Sequence, residues 1–326
     1  MEAAIITTYR CTNQCTMCHI WKHQTTREQE FEPRLLKKLP RLRFANITGG
    51  EPFLRDDISE IIAIVKKVSS RVVISTNGFL TDTIVSTMVK HRDVGVRVSV
   101  EGMPHTNDVL RGKKHCFDHS LRTLMELKRM GLRDIGIAIT VSDRNASDVL
   151  NLYRTASVYG FEFATAAVHN SYYFHIHDNR ITKKQEVINA LSHLITALLR
   201  TNRPKNWYRA YFNYGLINYV SGKPRLLPCR AGTDMFFLDP FGEIRPCNGM
   251  ARDDKASSMG NLNEESFAHI WNSSQAQKLR ERVKTCPRNC WMIGTAAPAM
   301  KRNIVTPTIW VVRNKMNSIW AKQWVP

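Results

Sequence analysis

An α/β fold on a parallel sheet is what the first half of this 326-residue chain predicts, and two observations predict it. Short β-type runs alternate with helix-length amphipathic segments, which is the pattern of βα units. Glycine-bearing turns, Gly49-Gly50, Asn77-Gly78 and Gly102, each stand just after such a run, where a βα loop begins.

Six strands are predicted, near 3–8, 42–48, 71–76, 95–100, 134–141 and 161–167. Helices fit between them. In 57–69, Ile58, Ile61, Ile62 and Val65 recur at helical spacing, and in 118–130 so do Leu121, Leu124, Met125 and Leu127. After residue 167 the rhythm changes to an aromatic, His-rich stretch, a helix near 182–200 and a second near 207–221. A new unit starts at Pro228-Cys229, with Met235–Leu238 and Glu243–Arg245 flanking the turn chemistry of Asp239-Pro240-Phe241-Gly242, and a helix follows around 273–284. The expected domains are 1–200 (barrel-like), 201–227 (connector), 228–295 (a small hairpin and helix unit) and 296–326 (a basic, Trp-rich tail).

Composition narrows the class. A 43% hydrophobic content suits a chain that buries a core. No signal sequence is visible, and no run of about 18 apolar residues occurs, so a soluble, cytoplasmic protein is expected. Eight cysteines in a long chain without a signal sequence point to cofactor ligation rather than a disulfide scaffold. The net charge of +19 attracts anions, whether phosphorylated substrates, nucleic acid or an anionic membrane, and does not choose among them.

Cys11, Cys15 and Cys18 lie on a loop directly after the first strand. Three thiolates leave one corner of a 4Fe-4S cubane open for a small molecule. A zinc site completed by His19 or His23 is the alternative reading of the same residues.

The CxxxCxxC loop, the Gly49-Gly50-Glu51-Pro52 string after the second strand and the succession of βα units together resemble the radical SAM superfamily over roughly residues 3–167. The resemblance implies a partial (β/α)6 TIM-like barrel with the cluster at its open mouth. It also implies S-adenosylmethionine bound to the open iron and cleaved, on electron transfer, to a 5'-deoxyadenosyl radical that abstracts a substrate hydrogen. Gly49 and Gly50 would let backbone approach the cofactor's amine, Glu51 would supply negative charge, Pro52 would fix the turn, and Met17 would lie by the adenine. Ser75 and Asn77, in Ser75-Thr76-Asn77-Gly78, stand where the family often places ribose contacts. Ser99-Val100-Glu101-Gly102 resembles a family pattern with Asp at the third position. Ser99, Arg111 and Thr140 are further cofactor or substrate contacts, with a structural ion pair the alternative for Arg111.

Cys229, Cys247, Cys286 and Cys290 form a second set that can ligate every corner of a cluster. It resembles the twitch or SPASM-type extensions that carry an auxiliary 4Fe-4S cluster, and four cysteines supply one such cluster, not two. Four-cysteine zinc is the alternative. Cys116 is left over, as a small core residue or a catalytic thiol. His169, Tyr172 and His175, in the aromatic stretch after the sixth strand, are further catalytic candidates.

With no leader-binding module ahead of the first strand, a small-molecule, sugar or lipid-linked substrate, carbohydrate-like or anionic, is expected, oxidised or epimerised at a hydroxyl-bearing carbon as in the radical SAM aminocyclitol dehydrogenases whose layout the single auxiliary cluster resembles, with an electron donor such as flavodoxin or ferredoxin. Modification of a ribosomal peptide or protein is the alternative within enzymes. A zinc-bearing nucleic-acid-binding protein is the alternative from another class. The tail, with Lys301, Arg302, Arg313, Lys315 and Lys322 among Trp310, Trp320 and Trp324, suits peripheral contact with an anionic membrane, or a helix packed on the body.

Overall fold

The computed structural model describes residues 1–249 and 257–319, so Trp320, Lys322 and Trp324 of the tail lie outside the described residues. The first half is a βα succession: β1 (Glu2–Ile6), β2 (Phe44–Thr48), α1 (Ile58–Val68), β3 (Val72–Thr76), α2 (Thr81–Met88), β4 (Gly95–Ser99), α3 (Pro104–Arg111), α4 (Cys116–Arg129), β5 (Ile135–Val141), α5 (Val149–Val158) and β6 (Glu162–Ala167). All six expected strands form. Two long helices follow, α6 (Lys184–Arg200) and α7 (Pro204–Val220). Then come β7 (Met235–Leu238), β8 (Glu243–Arg245), β9 (Gly260–Asn261), α8 (Phe267–Asn272), α9 (Ser274–Lys284), α10 (Ile293–Arg302) and α11 (Val305–Ile319).

The strands form one sheet in the order β6-β5-β4-β3-β2-β1-β7-β8-β9. From β6 to β1 all neighbours are parallel, the arrangement of a partial TIM-like barrel. The hairpin read from the Asp-Pro-Phe-Gly turn forms as β7 and β8, and β7 pairs in parallel with β1, which places the second cysteine unit at the edge of the first.

Side chains alternate across each strand, so one face of the sheet takes the apolar positions and the other the small and polar ones. Ile5, Ile47, Ile74, Val96, Val98 and Ile137 pack into the main core, against helices such as α1 and α4. Asn46, Ser75, Arg97, Ser99 and Thr140 share the opposite face, as the strand registers require. Arg97 pairs with Asp134 at 2.5 Å, and Glu162 with Lys205 at 2.9 Å and with Arg209, so one end of this polar face is tied by ion pairs. The other end, beyond the C-terminal ends of the strands, carries the cysteine loop.

Candidate active site

The chain beyond β1 continues its pairing with the chain beyond β2. Thr7 N donates to Thr48 O (2.8 Å), Gly50 N to Thr8 O (2.7 Å) and Glu51 N to Arg10 O (2.7 Å). This approach requires glycine. A Cβ at Gly50 would lie 2.2 Å from Arg10 O, and one at Gly49 would lie 2.8 Å from Thr8 O. What the two glycines admit in this structure is the backbone leading into Cys11.

Glu51 is fully buried, and its oxygens accept from Thr76 Oγ1 (2.7 Å), Asn77 N (2.7 Å) and Phe53 N (3.2 Å). Burial pushes its carboxyl pKa up, and these donors, with Arg111, pull it back. Its oxygens are thereby spent on organising the end of β3. Asn77 in turn donates to Thr12 Oγ1 at 2.9 Å and reaches Cys11 Sγ at 4.0 Å.

The far side of the loop rests on the end of α3. Gln14 N donates to Arg111 O (3.1 Å), Thr16 N to Leu110 O (2.9 Å) and Lys113 Nζ to Thr12 O (2.9 Å). Gly112 caps α3 in the left-handed region at φ 61°, where a Cβ would stand 2.2 Å from Gln14 O. Arg111 and Glu101 form a buried ion pair at 3.4 Å, and Glu101 also accepts from Thr140 N at 2.7 Å. Ser75 bonds Asn46 Oδ1 at 3.0 Å on the polar face that Ser99 shares. Cys116, the first residue of α4, has no exposed surface and takes a hydrogen bond from Asn13 Nδ2.

Burial pushes the thiol of Cys15 up to about 11 and that of Cys18 up to about 12, and raises that of Cys11. Dry thiols of this kind stay protonated unless a cation replaces the proton, which suits ligands to iron. Among the described residues no three His, Cys, Asp or Glu are placed to hold a single metal ion. The second set is disposed around a space: Cys229, Cys247, Cys286 and Cys290 all line one cavity of about 340 Å³, together with Arg282 and Arg288. Arg225 bonds the Cys290 carbonyl from the side.

One apolar cluster, containing Ile6, Tyr9, Ile20, Tyr173, Met235 and Phe237, packs against Cys11 and Cys18 of the first set and Cys229 and Cys247 of the second. Both sets therefore share a dry wall. The 169–177 segment contributes to it. Tyr173, which sequence reasoning passed over for its neighbour Tyr172, donates its hydroxyl to Gly49 O at 2.5 Å. His19 N donates to Phe174 O (2.7 Å), and Asn179 Nδ2 to the carbonyl of Met17 (3.1 Å). Tyr172 lies under Arg245 (4.7 Å), and His175, at φ 49°, stacks on His23 with centroids 4.2 Å apart. His169 bonds Ala167 O through Nδ1 (3.0 Å), and burial holds its pKa below the usual imidazole value. Glu30, which joins Arg10, Thr8 and Thr25 beneath the loop, was also missed; an isolated buried acid leaves no periodic signal.

Two family models match the chain: the radical SAM superfamily over residues 5–156 and the SPASM iron-sulfur cluster-binding domain over residues 229–291. Fe-coproporphyrin III synthase of Methanosarcina barkeri is 32% identical over 44% of this chain and 37% of its own length. The antilisterial bacteriocin subtilosin biosynthesis protein AlbA of Bacillus subtilis is 26% identical over 86% of this chain and 61% of its own. The chain thus spans less than two thirds of either relative. In fold it is similar to native anSMEcpe with bound AdoMet, with a TM-score of 0.66 at 15% identity, covering 97% of this chain and 99% of that one. No helix among the described residues is long and apolar enough to cross a membrane.

Proposed function

We propose that this chain, which belongs to the radical SAM superfamily, modifies a peptide or protein by abstracting a hydrogen atom from it. The observation that carries the substrate class is the match, across 86% of the chain, to a bacteriocin biosynthesis protein. The carbohydrate-like substrate expected from the sequence draws no support from the relatives, and the peptide alternative takes its place. The net charge of +19 favours an acidic peptide.

In this reading Cys11, Cys15 and Cys18 hold a 4Fe-4S cluster with one iron left for S-adenosylmethionine, and Cys229, Cys247, Cys286 and Cys290 hold an auxiliary cluster. When bound, the first cluster and S-adenosylmethionine supply the hydrogen-abstracting radical, at the expense of an electron from a donor such as flavodoxin or ferredoxin. The protein's part is positional. Glu51 and Asn77 fix Cys11, and the α3 terminus fixes the backbone on either side of Cys15. Ser75, Ser99 and Thr140 offer polar groups on the face of the sheet that leads to the loop, and Met17 offers an apolar one beside it. Tyr9, Tyr173 and Phe237 belong to the apolar cluster that packs against both cysteine sets and keeps their surroundings dry. Arg282 and Arg288 offset the negative charge of four thiolates.

A second reading, a tetrapyrrole substrate, is favoured by the 32% identity to Fe-coproporphyrin III synthase. Deuterium transfer separates the two. The anaerobically reconstituted enzyme is given perdeuterated peptides, coproporphyrins or sugars, and 5'-deoxyadenosine is collected. Label from peptides is expected; label only from coproporphyrin or from a sugar overturns the peptide reading.

A further inference from the structure

The last helix carries two apolar faces, and the fold uses one. Pro307, Trp310 and Asn314 of α11 point into the body. Trp310 stacks on Tyr214 with ring centroids 5.3 Å apart and meets Tyr211 edge-on at 5.5 Å. Lys315 Nζ donates to Leu199 O (2.6 Å) and Thr201 O (3.0 Å), pinning the helix to the α6–α7 turn. These contacts fix which side of α11 faces out.

On that outer side stand Val305, Ile309, Val312 and Met316, spaced by four, three and four residues, so that they form one stripe along the helix. They are 65%, 64%, 54% and 57% exposed. Single exposed aliphatic residues are ordinary on a protein surface and call for no explanation. Here five of the eleven large apolar side chains left exposed among the described residues, Ile304 included, fall within thirteen consecutive positions. A contiguous apolar stripe of this kind marks an interaction surface.

Charge identifies the occupant. After Glu281 the chain has eight Lys or Arg and no Asp or Glu. Exposed Arg313 stands beside the stripe and exposed Arg200 and Arg203 lie on the α6–α7 turn to which Lys315 is pinned, while Arg302, ahead of the stripe, pairs with Asp234 at 3.9 Å. Beyond α11 the sequence continues with Trp320, Lys322 and Trp324. An apolar stripe on a segment that carries cations and no acid of its own is complementary to a surface that is apolar below and anionic above. A second copy would bring the same excess of positive charge to the contact, which disfavours self-association through this face.

We propose that α11 is a docking helix that seats the protein on an anionic lipid surface, lying in the interface with Val305, Ile309, Val312 and Met316 in the acyl boundary. The inference is independent of the substrate reading.

Vesicle co-sedimentation of the full, cluster-loaded chain tests it. Vesicles of phosphatidylcholine with about a third phosphatidylglycerol should bind the protein at least about tenfold more tightly than pure phosphatidylcholine, with the preference weakening at high salt. Ile309→Asp with Val312→Asp should lower that binding about tenfold or more, with iron content and circular dichroism unchanged because both side chains are exposed. Arg313→Glu should weaken binding to anionic vesicles while leaving neutral ones unaffected. Equal partition onto neutral and anionic vesicles, or no partition at all, overturns the proposal. So does a dimer in sedimentation equilibrium that the double variant dissociates, since the stripe would then be a protein contact.

Discussion

Asn13 donates its side-chain amide to the sulfur of Cys116 at 3.1 Å, joining the middle of the first cysteine loop to the first residue of α4 across 103 positions of sequence. Both residues are buried, so the bond is a brace beneath the loop. Cys116→Ala should therefore leave reductive cleavage of S-adenosylmethionine within a few-fold of the parent. The lost bond and small cavity should cost about 1–2 kcal/mol, a lowering of the thermal midpoint by a few degrees. Complete loss of turnover with full iron content would instead make Cys116 a catalytic thiol.

Gly50 cannot carry a Cβ without moving Arg10, one residue ahead of Cys11. Gly50→Ala should displace the first cysteine loop and spare the second cavity. Iron per chain is expected to fall from about eight towards about four, with the remaining signal that of an auxiliary cluster in Mössbauer spectra. Unchanged iron would show that the loop can shift without losing its ligand geometry.

Arg111 and Glu101 are each more than nine-tenths buried, so removing one partner strands the other. Arg111→Met should destabilise the chain by about 3–5 kcal/mol in urea unfolding. Glu101→Gln introduced beside it should recover part of that loss, because no bare carboxylate is then left in the interior. Additive effects of the two substitutions would show that the pair is not coupled.

Burial pushes the carboxyl of Asp239 up to about 6, against the pull of Arg245 at 3.5 Å. Below about pH 4 the folded and unfolded chains both hold this proton. Between about pH 4 and pH 6 the folded chain keeps a proton that the unfolded chain has released, so stability falls as pH rises through that window. Asp239→Asn retains the acceptor for Phe241 N and Glu243 N, both at 3.0 Å, so the hairpin turn should persist. Its unfolding free energy should lose roughly 1–3 kcal/mol of pH dependence between those limits, as read from denaturant titrations at a series of pH values. An unchanged slope would place the titrating group elsewhere.

Much of the scaffold could be read from sequence because it is written in short-range patterns. Val96 and Val98 against Arg97 and Ser99 announce a strand with one face in the core, and Ile58, Ile61, Ile62 and Val65 announce a helix. The cysteine sets were equally plain, since thiols at loop spacing carry their chemistry in their residue type. The partners of those residues were not plain. Glu51 looked like a charge offered to a ligand, and its oxygens are taken by Thr76, Asn77 and Phe53. Tyr172 drew attention as a catalytic candidate, and its neighbour Tyr173 is the one bonded to Gly49.

By itself, then, the sequence determined the six parallel strands, the hairpin, the three-cysteine loop with its Gly-Gly-Glu-Pro companion and the set of four further cysteines. Each depends on periodicity, turn chemistry or ligand type within a few residues. Only the tertiary structure decided that β7 pairs with β1, that Cys229, Cys247, Cys286 and Cys290 surround one cavity, and that a single apolar cluster touches both cysteine sets. It also decided which face of α11 stays outside. These are contacts between residues tens to hundreds of positions apart, selected by which surfaces exclude water together, and no local pattern encodes that choice.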